Sequence, residues 1–424
     1  MASWSPQQEQ ALAAVSDWFK NGSSPLFKLF GFAGTGKTTL AKHFAEHVTG
    51  EVLFGAYTGK AASVLRSKGC DNASTIHQLI YRPSSKSKRK LRELEAKLDD
   101  LAREKGFADR DEAMKDEKFS KRVTAQKLAA AINDELTYLR QPQFNLNEAA
   151  LTNATSLLII DECSMVDKRM AEDLLSFDVP ILVLGDPAQL PPVGGGGAFT
   201  SGKGDFMLTE IHRQAEGDPI IQLATQIRNG ERISLGEYGK SSVINRRDVT
   251  KEIAQAHDQI IVGRNATRHK LNKLMRIWRD LDVAQGPTPG EKLVCLRNDH
   301  DLGLLNGTLW EVNASKLVGV DEWDSDSRLI MDLSEICEAN PLSLTNVVAF
   351  SDTFYGHEDQ RSWHERREAQ EFDYGYALTC HKAQGSQWGS VLVRDESGCF
   401  RANAKEWLYT AVTRACDRVT IAVD

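Results

Sequence analysis

The stretch LFKLFGFAGTGKTTL, residues 26–40, constrains the chain more than any other. A short apolar run, Leu26–Gly31, leads directly into Gly31-Phe-Ala-Gly-Thr-Gly36-Lys37-Thr38, and a helical pattern follows. Strand, glycine-rich turn and helix in immediate succession confine this region to a parallel α/β layer whose turn cradles phosphate. Glycines let backbone N–H groups face the β- and γ-phosphates, and the helix N-terminus adds its positive dipole end. Lys37 reaches the outer phosphates and Thr38 ligates Mg²⁺; Gly34, Thr35, Gly36 and Thr39 complete the nucleotide-contacting set.

Such a site needs an acidic residue at the end of another buried strand, and SLLIIDECSM, residues 156–165, supplies it. Asp161 holds Mg²⁺, and Glu162 orients and deprotonates an attacking water. The two motifs imply an Mg²⁺-dependent nucleoside triphosphatase and leave open what the energy drives.

At 424 residues the chain exceeds one ordinary core, so two or more domains are expected. Candidate buried strands recur at 26–31, 51–57, 156–161, 180–185, 259–263, 390–395 and 418–423, alternating with helical stretches. Two segments break the pattern. Residues 82–148 are charged and helix-forming, with a basic cluster of Lys86, Lys88, Arg89, Lys90 and Arg92. Residues 291–372 are strand-like and end in a charged stretch. The division expected is a first domain from 1–81 and 149–210, with 82–148 inserted, and a second from 211–290 and 373–424, with 291–372 inserted. No apolar run matches a membrane span, and the N-terminus lacks a signal-peptide layout. The seven scattered cysteines form no CxxC pair, which argues for free thiols in a reducing cytosol. A net charge of −7 weighs against a wholly basic nucleic-acid coat but permits a local basic groove.

Further motifs follow in order. WSPQQEQAL opens the chain with Gln8; YTGKAA spans 57–62 and STIHQLIY 74–81; VLGDPAQLPPVG spans 183–194. LTEIHRQ (208–214) carries Arg213, YALTCHKAQGSQW spans 376–388, and WLYTAVTRACDRV (407–419) carries Arg414. This ordered set resembles superfamily 1B DNA helicases of the RecD/Dda branch, along the whole chain apart from the two insertions. The resemblance implies two RecA-like parallel-sheet domains in tandem, with a helical insertion (1B) in the first and a small SH3-like β-rich insertion (2B) in the second. It implies ATP and Mg²⁺ as cofactors, adenine reading by Gln8, a nucleotide contact at Gly385, and 5′–3′ movement on single-stranded DNA.

Residue chemistry agrees with that reading. The transition state of phosphoryl transfer spreads negative charge over the transferred oxygens, which Arg213 and Arg414, delivered from a second domain, would stabilise. Thr58, Lys60, Thr75 and His77 in the first domain, and Thr379, His381, Lys382 and Ser386 in the second, supply donors suited to DNA phosphates or bases. Asp186 and Gln189 end a parallel strand, where ligand sites gather. Gln189 is placed to sense the γ-phosphate or attacking water, and the rigid Leu190–Val193 step, with Pro192, to carry that state toward DNA.

The expected partners are single-stranded and forked duplex DNA, with single-strand-binding or replication and recombination proteins, and the expected unit is a cytoplasmic monomer in a bacterial or phage-infected cell. Phe107, Phe119 and Tyr138 are the aromatic candidates for a strand-separating wedge in the first insertion. Two alternatives stand beside the helicase: a DNA-stimulated ATPase that displaces bound protein, and the motor subunit of a helicase–nuclease complex.

Overall fold

The computed structural model describes residues 4–22, 24–83, 89–140, 144–152, 154–192, 197–210, 217–299, 301–319, 327–336, 341–355 and 368–424. Its first sheet is parallel throughout, ordered Ser74–Thr75, Glu51–Ala56, Thr155–Asp161, Ile181–Gly185, Leu26–Gly31, Phe206–Leu208. The central strand Ile181–Gly185 is buried at every residue, as a strand covered on both faces must be. One face packs against the helices Pro6–Asn21, Lys37–Ala45 and Gly59–Ser67, through Val15, Trp18, Leu40, Phe44 and Leu65. The other carries Ile76, Ile80, Met170 and Leu174.

The second sheet runs Ala377–Thr379, Gln259–Val262, Trp388–Arg394, Ala415–Val423, Ser241–Asn245, Gly236–Tyr238, parallel except for its last pair. These two layers are the tandem RecA-like domains. A third, antiparallel sheet orders Ser343–Phe350, Arg328–Glu335, Leu309–Val318, Lys292–Cys295 and Phe372–Tyr374. Its inward residues Leu293, Trp310, Met331 and Phe372 share one core with Ile260, Val262 and Met275 of the second layer. Two buried ion pairs join helix Asn265–Trp278 to this third sheet and the turn before it: Arg268 with Asp373, and Arg276 with Glu291 at 2.9 Å.

Between the strands Tyr81–Pro83 and Phe144–Leu146, which pair antiparallel, the chain makes a helical excursion. Helices Arg89–Glu104 and Val123–Arg140 enclose a small core of Leu98, Ala102, Ala113, Phe119 and Ala125, and Lys90 pairs with Glu135 at 2.7 Å. Among the described residues no helix is long and apolar enough to cross a membrane. The described cysteines are all free.

Candidate functional site

The glycine-rich turn leaves strand Leu26–Gly31 and opens helix Lys37–Ala45, with Gly34 and Gly36 at φ 79° and 80°. Only glycine takes that left-handed backbone without strain. A Cβ on Gly31 would lie 2.5 Å from Thr35 Oγ1 and 2.9 Å from Leu208 Cβ, so this position too excludes a side chain. Lys37 Nζ donates to the carbonyls of Gly31 (2.7 Å) and Phe32 (3.1 Å), which curls the turn around the ammonium. Gln8, capping helix Pro6–Asn21 with Ser5, donates from Nε2 to the Thr35 carbonyl at 3.2 Å. Thr39 is exposed on the first turn of the helix.

Across the sheet, Thr38 Oγ1 donates to Asp161 Oδ2 at 2.8 Å, while Asp161 Oδ1 accepts from the Glu162 amide at 2.8 Å. A hydroxyl on the first turn of helix Lys37–Ala45 and a carboxylate at the end of strand Thr155–Asp161, with strand Ile181–Gly185 between that strand and Leu26–Gly31, are hard oxygen donors, and they fit Mg²⁺, which keeps most of its water shell. Glu162 has φ 52°, a left-handed conformation uncommon for a side-chain-bearing residue and often found at functional sites. Part of its surface opens to solvent, yet its carboxyl is enclosed by protein. Burial pushes that carboxyl above the usual range; Arg414 and Lys37 pull it back, and Asp161 and Asp186 raise it further.

Arg414 belongs to the second domain and is 3% exposed. Its guanidinium donates to the Thr410 carbonyl (3.1 Å), the Ser386 carbonyl (3.2 Å) and Thr413 Oγ1 (3.3 Å), and its charge acts on Glu162. Arg213 lies outside the described residues.

The GDPAQLPP segment crosses from one domain to the other. Asp186 follows strand Ile181–Gly185 and accepts from the Ala188 amide at 3.0 Å, a local turn bond. Four residues on, Leu190 is buried in the core of the second domain with Ile220, Trp407 and Tyr409. Its amide donates to Thr410 Oγ1 (2.7 Å), its carbonyl accepts from Gln384 Nε2 (2.8 Å), and the Pro191 carbonyl accepts from His381. Gln189 is 7% exposed, and its Oε1 has no partner among the described residues.

Further residues not singled out from the sequence also meet at this site. Tyr409 accepts at its hydroxyl from the Ala33 amide of the phosphate turn (3.1 Å) and donates to Asp186 Oδ2 (2.6 Å). Arg228, on helix Pro219–Asn229, places its guanidinium 3.5 Å over the Phe32 ring, and Ile221 of the same helix covers Gly34. The one available sequence signal for Tyr409 was its place in WLYTAVTRACDRV, five residues before Arg414, which follows the end of helix Ala404–Val412.

The residues expected to hold a strand divide into two sets. Gly385, expected at the nucleotide, packs on the first domain: a Cβ there would lie 2.9 Å from Ala61 Cβ and 3.2 Å from Thr58 Oγ1. Leu305 in turn packs against Gly59, and the Gly307 position lies 4.0 Å from the Lys382 carbonyl. Thr58, Lys60, Lys382 and Gly385 thus gather where the three sheets meet, with Lys60, Lys382 and Pro192 half-exposed.

Thr75, Thr379 and Ser386 are buried, and Thr75 caps helix Ile76–Ile80. His77 packs between Tyr57 (6.3 Å) and Tyr81 (5.4 Å); burial lowers its pKa, as it does for His381, which lies 5.9 Å from the Phe400 ring. Phe107 and Phe119 meet edge-on at 5.5 Å inside the helical excursion, so packing accounts for both. The Tyr138 side chain, Lys86 and Lys88 lie outside the described residues.

A family profile for an AAA domain matches residues 4–249, and one for a UvrD-like helicase C-terminal domain matches 374–422. The chain is 29% identical over 62% of its length to the ATP-dependent RecD2 DNA helicase of Deinococcus radiodurans, covering 35% of that protein. It is 25% identical over 71% of its length to the ATP-dependent DNA helicase Pif1 of a Psychrobacter species, covering 46% of that protein. The chain therefore spans less than half of either relative. The crystal structure of the Pif1 helicase from Candida albicans aligns with 100% of this chain and 94% of its own, at 16% identity and a TM-score of 0.51, a likeness of fold.

Proposed function

The chain belongs to the AAA domain family, in the RecD/Pif1-like branch of superfamily 1B, and from that premise we propose that it is an ATP-dependent DNA helicase moving 5′ to 3′ on single-stranded DNA. One observation carries the reading. The phosphate turn, the Thr38–Asp161 pair and Glu162 lie on the first domain, and Arg414, with its charge on Glu162, comes from the second.

ATP would seat its phosphates on the amides of residues 34–38, with Lys37 exchanging its turn carbonyls for phosphate oxygens. Gln8, which already fixes the Thr35 carbonyl, would read the adenine. Thr38 and Asp161 would hold Mg²⁺, which neutralises phosphate charge when bound. Glu162 takes the proton of a water as its oxygen bonds to the γ-phosphorus and the bond to the β–γ bridging oxygen breaks. Arg414 screens the charge spread over the transferred oxygens, and Gln189, whose amide oxygen has no partner among the described residues, orients the water. We assign Arg213 a second finger role beside Arg414.

Each cycle would close and reopen the interdomain cleft. Thr58 and Lys60 on one side, and Lys382 with His381 on the other, would grip the strand alternately. We assign residues 82–148 to the 1B insertion and 291–372 to an SH3-like 2B insertion that helps retain DNA.

The test is unwinding of duplexes bearing a 5′ or a 3′ tail, with and without ATP, beside Lys37→Ala. Unwinding of the 5′-tailed duplex alone, lost in the variant while single-strand binding persists, is the expected result; ATP-independent or 3′-only unwinding overturns it. A DNA-stimulated translocase that displaces bound protein is the second reading. It is favoured by Phe107 and Phe119 being packed together rather than presented to a fork. Vigorous ATPase stimulation with no unwinding of either duplex would support it.

A further inference from the structure

We propose that Tyr409 is a positioning residue through which the second domain reads the phosphate turn and sets Gln189, an inference that rests on the ATPase reading above. Three observations converge on its hydroxyl. It accepts from the Ala33 amide at 3.1 Å, at the crest of the turn just before Gly34. It donates to Asp186 Oδ2 at 2.6 Å, and the two side chains are buried, at 1% exposure each. Its ring belongs to the second-domain core that also encloses Leu190.

One hydroxyl therefore ties two separate points of the first domain, the nucleotide turn and the end of strand Ile181–Gly185, to helix Ala404–Val412 of the second. Asp186 in turn fixes the short turn that presents Gln189: its carboxylate takes the Ala188 amide (3.0 Å) and its carbonyl takes the Gln189 amide (3.1 Å). Beyond Gln189, Leu190 is held by Thr410, the residue that follows Tyr409 on the helix. The segment from 186 to 190 is thus gripped at both ends by adjacent residues of one helix. A shift of that helix relative to the phosphate turn must reorient Gln189, because both ends of its turn move with it. Arg228 over Phe32 and Ile221 on Gly34 press the second domain onto the same turn, so a change in its shape has a packed surface to push against.

Removing only the hydroxyl keeps the ring and its packing. It leaves the Ala33 amide and the buried Asp186 Oδ2 without this partner, while Asp186 Oδ1 keeps the Ala188 amide; losing a partner at a buried polar group is costly. Because the hydroxyl is committed to the Ala33 amide and Asp186 Oδ2, the effect should fall on turnover and not on nucleotide affinity.

The experiment measures steady-state ATP hydrolysis by full-length wild type, Tyr409→Phe, Asp186→Asn and the double variant, with and without oligothymidylate, beside ADP affinity and thermal midpoint. Expected for Tyr409→Phe is a fall of roughly tenfold in DNA-stimulated kcat, the rate equivalent of one hydrogen bond to a charged acceptor. KM for ATP and ADP affinity should stay within about twofold, since a contact made away from the ground-state ligand leaves binding unchanged. Asp186→Asn should show the same split, and the double variant should be no worse than either single, as members of one linkage behave. Should Tyr409→Phe fail to fold, Asp186→Asn carries the same split alone. Wild-type stimulation in Tyr409→Phe, additive losses in the double variant, or parallel losses of affinity and turnover overturn the inference. A wild-type protein without DNA-stimulated hydrolysis overturns the functional reading first, and so separates the two failures.

Discussion

The Leu190 amide donates to Thr410 Oγ1 at 2.7 Å, a bond between a segment that leaves the first sheet and a helix of the second domain, with both residues fully buried. Thr410→Val keeps the shape of the side chain and removes the acceptor. The stranded Leu190 amide should cost about 1–3 kcal/mol, the usual penalty for a buried donor left alone. Denaturant unfolding followed by intrinsic tryptophan fluorescence reads this, because Trp407 lies in the same core as Leu190. An unchanged midpoint would mean that the segment relaxes away from the second domain and is not held there.

Glu162 makes a pH-dependent prediction. Its carboxyl is pushed upward by burial, then held back by Arg414 and Lys37. A base must be ionised to act, so hydrolysis should fall as pH drops through a midpoint above that of an ordinary glutamate. Arg414→Ala removes a charge that favours ionisation and should move this acid limb to higher pH. The stability effect has the opposite sign. With a raised native pKa the folded protein binds more protons than the unfolded chain between the two values, so stability from this group is greatest below the unfolded pKa and is lost as pH rises through the folded one. Glu162→Gln should therefore lose hydrolysis by ~10²-fold or more while gaining thermal stability, and the gain should be larger at pH 8 than at pH 5. Pairing a thermal scan at each pH with a rate profile tests both signs.

Much of this arrangement was legible in the sequence, and the reason is chemical. Phosphate cradles, metal-binding carboxylates and doubly buried strands require particular residues at fixed spacing, so Lys37, Thr38, Asp161 and all seven expected strands could be placed from pattern alone. In the two RecA-like sheets the strands that escaped notice, Ser74–Thr75, Phe206–Leu208, Gly236–Tyr238, Ser241–Asn245 and Ala377–Thr379, are short, and several are polar. They lie at or toward the margins of their sheets, where burial no longer enforces an apolar run.

Contacts between domains were the harder part. Nothing in GDPAQLPP reveals that Leu190 belongs to the second core, since an apolar residue in a turn reads the same whichever domain covers it. The close packing of Gly385, whose missing side chain leaves room for Thr58 and Ala61, is equally invisible in the motif around it. Thr75 illustrates the reverse: its hydroxyl accepts from the Gln78 amide at 3.2 Å, so capping explains a threonine that also suits a phosphate.

Arg414, the proposed arginine finger, is held within its own domain. Its guanidinium spends all three nitrogens on acceptors of its own domain, at 3.1–3.3 Å, while its charge bears on Glu162. Arg414→Ala should lower kcat by ~10³-fold or more, within the range of arginine fingers, with nucleotide affinity little changed. Arg414→Lys should recover little, because an ammonium cannot span the Ser386 and Thr410 carbonyls and a phosphate together. Single-turnover hydrolysis beside equilibrium binding of an ATP analogue separates the two effects. A matching loss of affinity would recast Arg414 as a ground-state binding residue.

Gln189 is the last link. It is nearly buried, its Oε1 is without a partner among the described residues, and the turn that holds it is fixed at Asp186 and Leu190. A buried acceptor kept open between two anchored points is suited to receive a hydrogen bond from water only when a nucleotide is in place. Gln189→Ala should therefore cut DNA-stimulated turnover by about 10²-fold, comparable to loss of one preorganised transition-state contact, while ATP binding falls far less. Gln189→Glu is the sharper comparison: it keeps an acceptor at the same place but adds charge three residues from Asp186, so it should also be slow, and slower as pH rises. Measuring kcat and KM for both variants, with and without single-stranded DNA, gives the answer. If alanine leaves stimulation intact and weakens ATP binding instead, the segment is a plain turn, and the link from hydrolysis to strand movement must run elsewhere.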